Sequence, residues 1–262
     1  MNTVRVMGGL GNQMFQYAFG RSLQLQSNTD IQFDKSWYNN NKHPERPFLL
    51  NKFNTVLRTT KDGFTSGNYC KEFQGNFMEI PAALDNHYFD GYWQYLNYFT
   101  GVIPKLKSEL TLRSEYYTDE FLAQLIKIDD DLNSVSLHVR RGDYLLQKGW
   151  GVLPLRYYYL ALKQVRGNLY IFSDDIEYCK PLFDQGYFAD RKVTFIKTEP
   201  YLDFELMKAC RKHIIANSTF SFWAALLDTK VDSITYCPEY WLGESTPDDG
   251  NHYPQNWKRI KM

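Results

Sequence analysis

The sequence predicts an α/β protein organised as two units, and three observations lead there. A β-rich run, Thr3 to Met7, opens onto Gly8, Gly9 and Gly11 and then onto a segment with helical apolar spacing, which is how an α/β fold begins. From Ser134 onward, runs of Val, Ile and Leu alternate regularly with helical segments, as in a parallel sheet wound on both faces. The 262 residues, 44% apolar and 23% charged, are enough for two small domains or one large one.

Taken in order, the helix after the glycines is marked by Met14, Phe15, Ala18, Leu23 and Leu25, and Ile31 to Phe33 reads as the next strand. Trp37 to Gly75 is poorly periodic and rich in Asn, Lys and Pro, so loops and short helices are expected there. Phe89 to Trp93 reads as a strand and Tyr95 to Leu112 as mostly helical despite Pro104. Thr118 caps a helix whose first turn carries Asp119 and Glu120, matched to the positive end of the helix dipole. Beyond it, strands are expected at Val135 to Val139, Leu169 to Phe172, Val193 to Ile196, His213 to Ala216 and Ile234 to Cys237. Helices fill the gaps at Leu155 to Val165, Ile176 to Phe183, Leu202 to Cys210 and Thr219 to Leu227. The change of regularity between Glu115 and Ser134 divides the chain into an N-terminal unit, 1–120, and a C-terminal unit, 121–262.

Composition excludes several classes. Thirty basic against thirty acidic residues give zero net charge, which removes the broad field of a nucleic-acid binder, so any anion must be held locally. No run of about 18 apolar residues exists to span a bilayer. Cys70, Cys179, Cys210 and Cys237 show neither a C-x-x-C pair nor metal-finger spacing and read as free thiols in a reducing compartment. The N-terminus lacks the features of a secretory signal, which makes the cytoplasm the default. Basic Lys258, Arg259 and Lys261 could touch a membrane surface peripherally, though a solvated tail, or one packed back on the first unit, is the plainer expectation. The 44 aromatic residues suit core packing or sugar stacking.

Ligands of doubly wound sheets bind beyond the carboxyl ends of strands, and four such turns stand out. Gly8-Gly9-Leu10-Gly11-Asn12-Gln13 permits positive φ and close approach of a ligand to backbone, but it matches neither the Walker loop nor the dinucleotide fingerprint, and a purely steric turn explains it equally well. In His138-Val139-Arg140-Arg141-Gly142-Asp143-Tyr144, alternation places His138 and Arg140 on one side of the strand end. There an Arg fork suits a phosphate, while internal pairing with Asp143 accounts for one of the two arginines. In Phe172-Ser173-Asp174-Asp175, Asp175 fits a helix cap and leaves Asp174 for a guanine edge or ribose hydroxyls; no His or further acid completes a metal site. Asn217, Ser218, Thr219, Phe220 and Ser221 begin a helix with more hydroxyls than a cap requires, an anion cradle at a positive helix end. Together these parts describe a nucleoside-diphosphate site.

The stretches GGLGNQMFQYA at 8–18, HVRRGDY at 138–144, FSDD at 172–175 and ANSTFSFWAALL at 216–227 closely resemble the α-1,2-fucosyltransferases of glycosyltransferase family eleven, in family order and framing nearly the whole chain. The resemblance implies a fold of the GT-B type, with two Rossmann-like domains facing a cleft, and inverting transfer of L-fucose from GDP-fucose to the O2 of a galactose in a glycan, with no cofactor and no metal. The setting it implies is surface polysaccharide (O-antigen) biosynthesis. It further implies that Arg140 grips the β-phosphate, His138 and Ser173 lie near the nucleotide, Asp174 reads guanine, and Asn217 to Ser221 form the phosphate turn. Gly11, Asn12 and Gln13 would face the sugar cleft, with the N-terminal unit and its glycine loop on the acceptor side and the C-terminal unit binding GDP-fucose. Two departures bear on the acceptor side: Phe222 stands where Trp is expected, and the segment from Tyr144 to Tyr157 is short. For the general base, Asp143 is the first candidate, followed by Asp203, Glu199 and His252. A transferase using another acceptor, and a nucleotide-sugar or glycan-binding module without turnover, remain alternatives.

Overall fold

The computed structural model describes residues 1–41, 44–73, 77–146, 151–183, 188, 190–241 and 251–262; parts of the loop region expected before Gly75 and of the short segment after Tyr144 lie outside them. The chain forms two compact units, Met1–Arg113 and Ser114–Met262. A boundary at residue 120 would cut the first turn of the helix Asp119–Asp129 (α3), which belongs wholly to the second unit. Thr118 caps that helix by accepting the Phe121 N–H at 3.2 Å.

In the first unit, strands β1 (Asn2–Arg5), β2 (Ile31–Asp34), β3 (Thr59–Thr60), β4 (Asn68–Lys71) and β5 (His87–Asp90) form a parallel sheet in the order β3-β2-β1-β5-β4. The connection runs outward from β1 to β3 and returns at the other side through β4 and β5, so the switch point of the sheet lies between β1 and β5. Helix α1 (Leu10–Ser27) covers one face, with Phe19 in edge contact with Phe89 at 5.3 Å and stacked on Trp93 at 4.0 Å. Gly20 sits where helix meets sheet: a Cβ there would fall 2.7 Å from the Phe33 ring, so glycine is required by packing. Apart from half-exposed Asn12, α1 is buried from Leu10 to Leu23, and toward its end Leu25 faces solvent. A buried ion pair, Arg21 Nη2 to Glu109 Oε1 at 2.7 Å, ties α1 to α2 (Ile103–Glu109), and Tyr17 also donates to Glu109 at 2.6 Å. Burial alone would raise the Glu109 pKa, but these donors hold it below the ordinary value.

Three expectations are corrected in this unit. The strand read at Phe89 to Trp93 is His87–Asp90, and Trp93 instead adopts a left-handed φ of +57° in the following turn. Only Ile103–Glu109 of the stretch Tyr95 to Leu112 is α-helical; the rest is short 3-10 turns and coil. β3 and β4 lie in the region expected to be loops and short helices, because these exposed edge strands carry little apolar periodicity.

The second unit is a parallel sheet ordered β11-β10-β9-β6-β7-β8. Its strands are β6 (Val135–Val139), β7 (Leu169–Ser173), β8 (Val193–Ile196), β9 (Lys212–Ile214), β10 (Ile234–Pro238) and β11 (Lys258–Ile260), with helices α4 (Leu155–Gln164), α5 (Ile176–Phe183), α6 (Pro200–Lys208) and α7 (Thr219–Leu226) in the connections. The chain builds β6 to β8 in one direction and then β9 to β11 in the other, which puts this switch point between β6 and β9. The wholly buried strands β6 and β7 are mostly apolar and rich in Val, Leu and Ile, so these elements are well marked in the sequence. The basic tail, expected to be a solvated tail, is instead built into this sheet: Lys258–Ile260 pairs in parallel with Tyr236–Pro238, and Ile260 is buried. Trp257 and Ile260 anchor it, an apolar signal outweighed in the sequence by the three charges.

One polar cluster is sealed within this unit. Ser136 Oγ lies 2.8 Å from His213 Nδ1, and His213 Nε2 lies 3.1 Å from Asp228 Oδ2. All three are buried. Burial would raise the Asp228 pKa, yet hydrogen bonds from His213, Ser233 and the Lys230 N–H hold it low. Among the described residues no helix is long and apolar enough to cross a membrane, and all four cysteines are free.

Candidate active site

At the switch point of the second unit, adjacent strands end in the two most distinctive turns of the sequence. β6 leads into His138–Tyr144, and β9 leads through Ile215 and Ala216 into Asn217–Ser221 and α7. The Tyr144 hydroxyl donates to the Asn217 carbonyl at 3.0 Å and joins them. Divergence of the connections on either side of a switch point opens a crevice there, which makes this the expected ligand position.

Arg140 is the centre of this edge. Its Nη1 lies 3.0 Å from Asp174 Oδ2, its Nη2 is paired with Asp143, and its guanidinium carbon lies 5.4 Å from the Tyr144 ring centroid. Carboxylates on two sides therefore fix the plane of the fork. Arg141 turns the other way, bonding Asp175 through Nε at 3.1 Å and stacking on Tyr178 at 3.4 Å. The sequence expectation that one arginine is internally paired holds for both, with different acids.

Asp174, expected to be left for a ligand, is bound into the first turn: Oδ1 accepts the Arg141 N–H at 3.0 Å while Oδ2 meets Arg140. This close wrap explains Gly142, where a Cβ would lie 2.4 Å from Asp174 Oδ2. Asp175 caps α5 as expected, accepting the Tyr178 N–H at 3.3 Å, and the Ser173 hydroxyl accepts the Asp175 N–H at 3.0 Å. Ser173 is thus a turn-forming group.

His138 is buried, with its ring 5.7 Å from Phe220. Burial, reinforced by the charge of Arg140, pushes its pKa down to about 3, so the imidazole is neutral at physiological pH. In the second turn the hydroxyls divide. Ser221 is buried and donates to the Ser218 carbonyl at 3.3 Å, and Ser218, the N-cap of α7, makes no side-chain capping bond. Asn217 is buried and donates to the Gly151 carbonyl at 3.0 Å. Thr219 and Phe220 are half-exposed at the helix mouth, where the first-turn N–H groups have no intrahelical acceptor.

The remaining base candidates lie elsewhere in their elements. Asp203 is buried in α6 and accepts from the Thr198 N–H and hydroxyl at 2.8 and 2.7 Å; burial raises its pKa. Glu199 precedes α6 on the surface, and His252 is stacked on Trp241 at 5.5 Å in an aromatic cluster with Phe222. Only Asp143 stands on the strand-end turn with Arg140. Tyr144 and Tyr178, which orient the two arginines, were missed as site residues; Tyr144 was visible only as the end of its motif, and Tyr178 carried no signal.

At the switch point of the first unit the glycine turn has a steric cause at Gly8, which has φ +80° and no room for a Cβ beside Asn12. Gly8 also accepts from Gln13 Nε2 at 3.0 Å and the Tyr38 hydroxyl at 2.9 Å. Gln13, expected to face a sugar, is corrected: it is fully buried, donating to the Pro47 carbonyl at 2.8 Å and accepting the Leu49 N–H at 2.8 Å. Gly11 is buried in α1 as well. Asn12 is half-exposed and accepts from Gln94 Nε2 at 3.1 Å.

Two parallel-sheet α/β units, each with distinctive turns at its switch point, define the class of GT-B-like glycosyltransferases. The chain belongs to glycosyltransferase family 11, whose profile matches residues 1–261. It is 30% identical over 98% of its length to an alpha-1,2-colitosyltransferase of Escherichia coli, 98% of which is covered. It is 29% identical to the O-antigen biosynthesis glycosyltransferase WbnK of the same species, over 90% of this chain and 93% of that one. Its fold matches the crystal structure of fucosyltransferase NodZ from Bradyrhizobium with a TM-score of 0.56 at 15% identity, covering 94% of this chain and 96% of that one.

Proposed function

We propose that this glycosyltransferase is an inverting α-1,2-fucosyltransferase that moves L-fucose from GDP-fucose to the O2 of a galactose in a glycan, in the cytoplasm and toward surface polysaccharide. The observation that carries this reading is the pairing of turns at the second switch point: an oriented guanidinium after β6, tied through Tyr144 and Asn217 to the mouth of α7. The α-1,2 linkage in the name of one relative and the O-antigen role in the name of another support it.

In this reaction the acceptor O2 attacks the anomeric carbon from the side opposite the diphosphate. The C1–O bond to the β-phosphate breaks, a new C1–O2 bond forms with inversion, and the hydroxyl proton passes to a base. Negative charge builds on the departing oxygen. Arg140 and the N–H groups at Thr219 neutralise it where a metal would otherwise be needed, and because acids already orient the guanidinium, little reorganisation is required as charge develops. Binding of GDP exchanges part of Arg140's carboxylate contact for phosphate and releases Asp174 toward the guanine edge. Asp143, beside Arg140, is the candidate base.

Incubation with GDP-fucose and a galactoside should release GDP only when the acceptor is present, equally with and without EDTA. GDP-fucose binding without acceptor-dependent release would instead mark a non-catalytic module, and EDTA-sensitive release would overturn the metal-free mechanism. A second donor deserves the same assay, since the relative matched across 98% of both chains carries a colitosyltransferase name. Faster turnover with GDP-colitose would reassign the sugar and leave the phosphate chemistry unchanged.

A further inference from the structure

At the switch point of the first unit, polar bracing from Glu72, Gln16 and Asn12 converges on the turn after β5. Glu72, buried just beyond β4, accepts the N–H groups of both Tyr92 and Trp93 at 2.7 Å through one carboxylate oxygen. This holds Trp93 at φ +57°, a conformation that a bulky residue rarely adopts and that costs free energy unless its surroundings impose it. Gly91 is glycine because a Cβ would lie 2.5 Å from that of Glu72. Gln16 then bridges across the switch point, its Oε1 accepting the Met7 N–H at 3.0 Å and its Nε2 donating to the Gly91 carbonyl at 3.1 Å. The Gln94–Asn12 bond makes a second bridge between the same turns.

The rigid turn leaves Tyr92, Gln94 and Asn12 half-exposed at the carboxyl edge. Burial raises the Tyr92 pKa, so its phenol stays a neutral donor. A phenol and two carboxamides offer both donors and acceptors without formal charge, the complement of a neutral sugar's hydroxyls. Backbone strain held by a buried carboxylate, at the position where an open α/β sheet receives ligands, marks a site whose geometry matters more than local stability.

We propose that Tyr92 and Gln94 contact the acceptor pyranoside and that Glu72 is the positioning residue that presents them. The inference rests on the fucosyltransferase reading above and assigns its acceptor contacts to the first unit. Lactose serves as the acceptor probe, read by GDP release at saturating GDP-fucose and by saturation-transfer NMR, with GDP affinity measured by calorimetry. Tyr92→Phe and Gln94→Ala should each raise the lactose KM about tenfold, the loss expected for one hydrogen bond to substrate, with GDP affinity unchanged. Glu72→Ala should raise it at least as much, and Glu72→Gln, which keeps an acceptor oxygen, should restore most of the affinity. If both surface variants keep the wild-type lactose KM and NMR signal, the assignment is overturned, as it is if GDP affinity falls in step with KM. Absence of lactose-dependent GDP release by the wild-type protein overturns the fucosyltransferase reading instead, a result distinguishable from both.

Discussion

A guanidinium and an ammonium carry the same charge in different shapes, and at Arg140 the difference is testable. Arg140→Lys keeps the cation but loses the planar fork that reaches Asp174 and Asp143 together, so turnover should fall by roughly 10²- to 10³-fold, the usual cost of one preorganised donor. Near-normal kcat would remove Arg140 from the mechanism. His138 makes a second prediction. Its folded pKa lies below that of the unfolded chain, so between about pH 6.5 and its folded value of about 3 the unfolded state binds a proton that the folded state does not. Stability should fall as pH drops through this window, and His138→Phe should flatten that part of the loss in urea titrations at pH 7 and pH 5. At this scale the motif residues were legible in type but not in partner. Alternation placed His138 and Arg140 on one side, whereas the bond from Asp174 to the Arg141 N–H joins positions far apart in sequence through adjacent strands, which a linear pattern cannot show. Gln13 failed for the same reason: its loop partners lie beyond residue 46.

Among elements, α1 shows two propensities in conflict. Gly20 lies inside the helix, where alanine would ordinarily gain about 1 kcal/mol. A Cβ would press into the buried Phe33 ring, and overpacking of this kind costs about 1–3 kcal/mol, so Gly20→Ala should lower stability on balance in chemical denaturation. Legibility followed burial. β6 and β7, covered on both faces, were read to within a residue because their positions are mostly apolar, bounded by polar turns. β3, β4 and β11 lie at sheet edges, where one strand face and one ladder are exposed and charged residues are tolerated, so their sequences resemble loops.

For the whole molecule, the two sheets share one feature: the first strand of each starts an outward run to one edge, and strands built later fill its other side. That arrangement sets one ligand edge in each unit and separates the proposed donor and acceptor chemistry between them. GDP at 100 times its Kd should therefore stabilise the intact chain by about 2.7 kcal/mol, read as a higher Tm, with EDTA without effect. A shift abolished by EDTA would show that a metal carries the diphosphate. The regular second half disclosed its architecture in the sequence, while the first half disclosed its opening strand, turn and helix and the strand after them, and little beyond, since the aromatic contacts that build its core, such as Phe19 on Trp93, are set by packing rather than periodicity.

The sealed trio of Ser136, His213 and Asp228 resembles a hydrolase constellation in composition but is wired backwards: the serine meets Nδ1 and the carboxylate meets Nε2. Fluorophosphonate probes should accordingly leave the native enzyme unlabelled. The trio acts as a clasp between two neighbouring strands and the segment after α7, and an activity-based proteomic screen would pass this protein by.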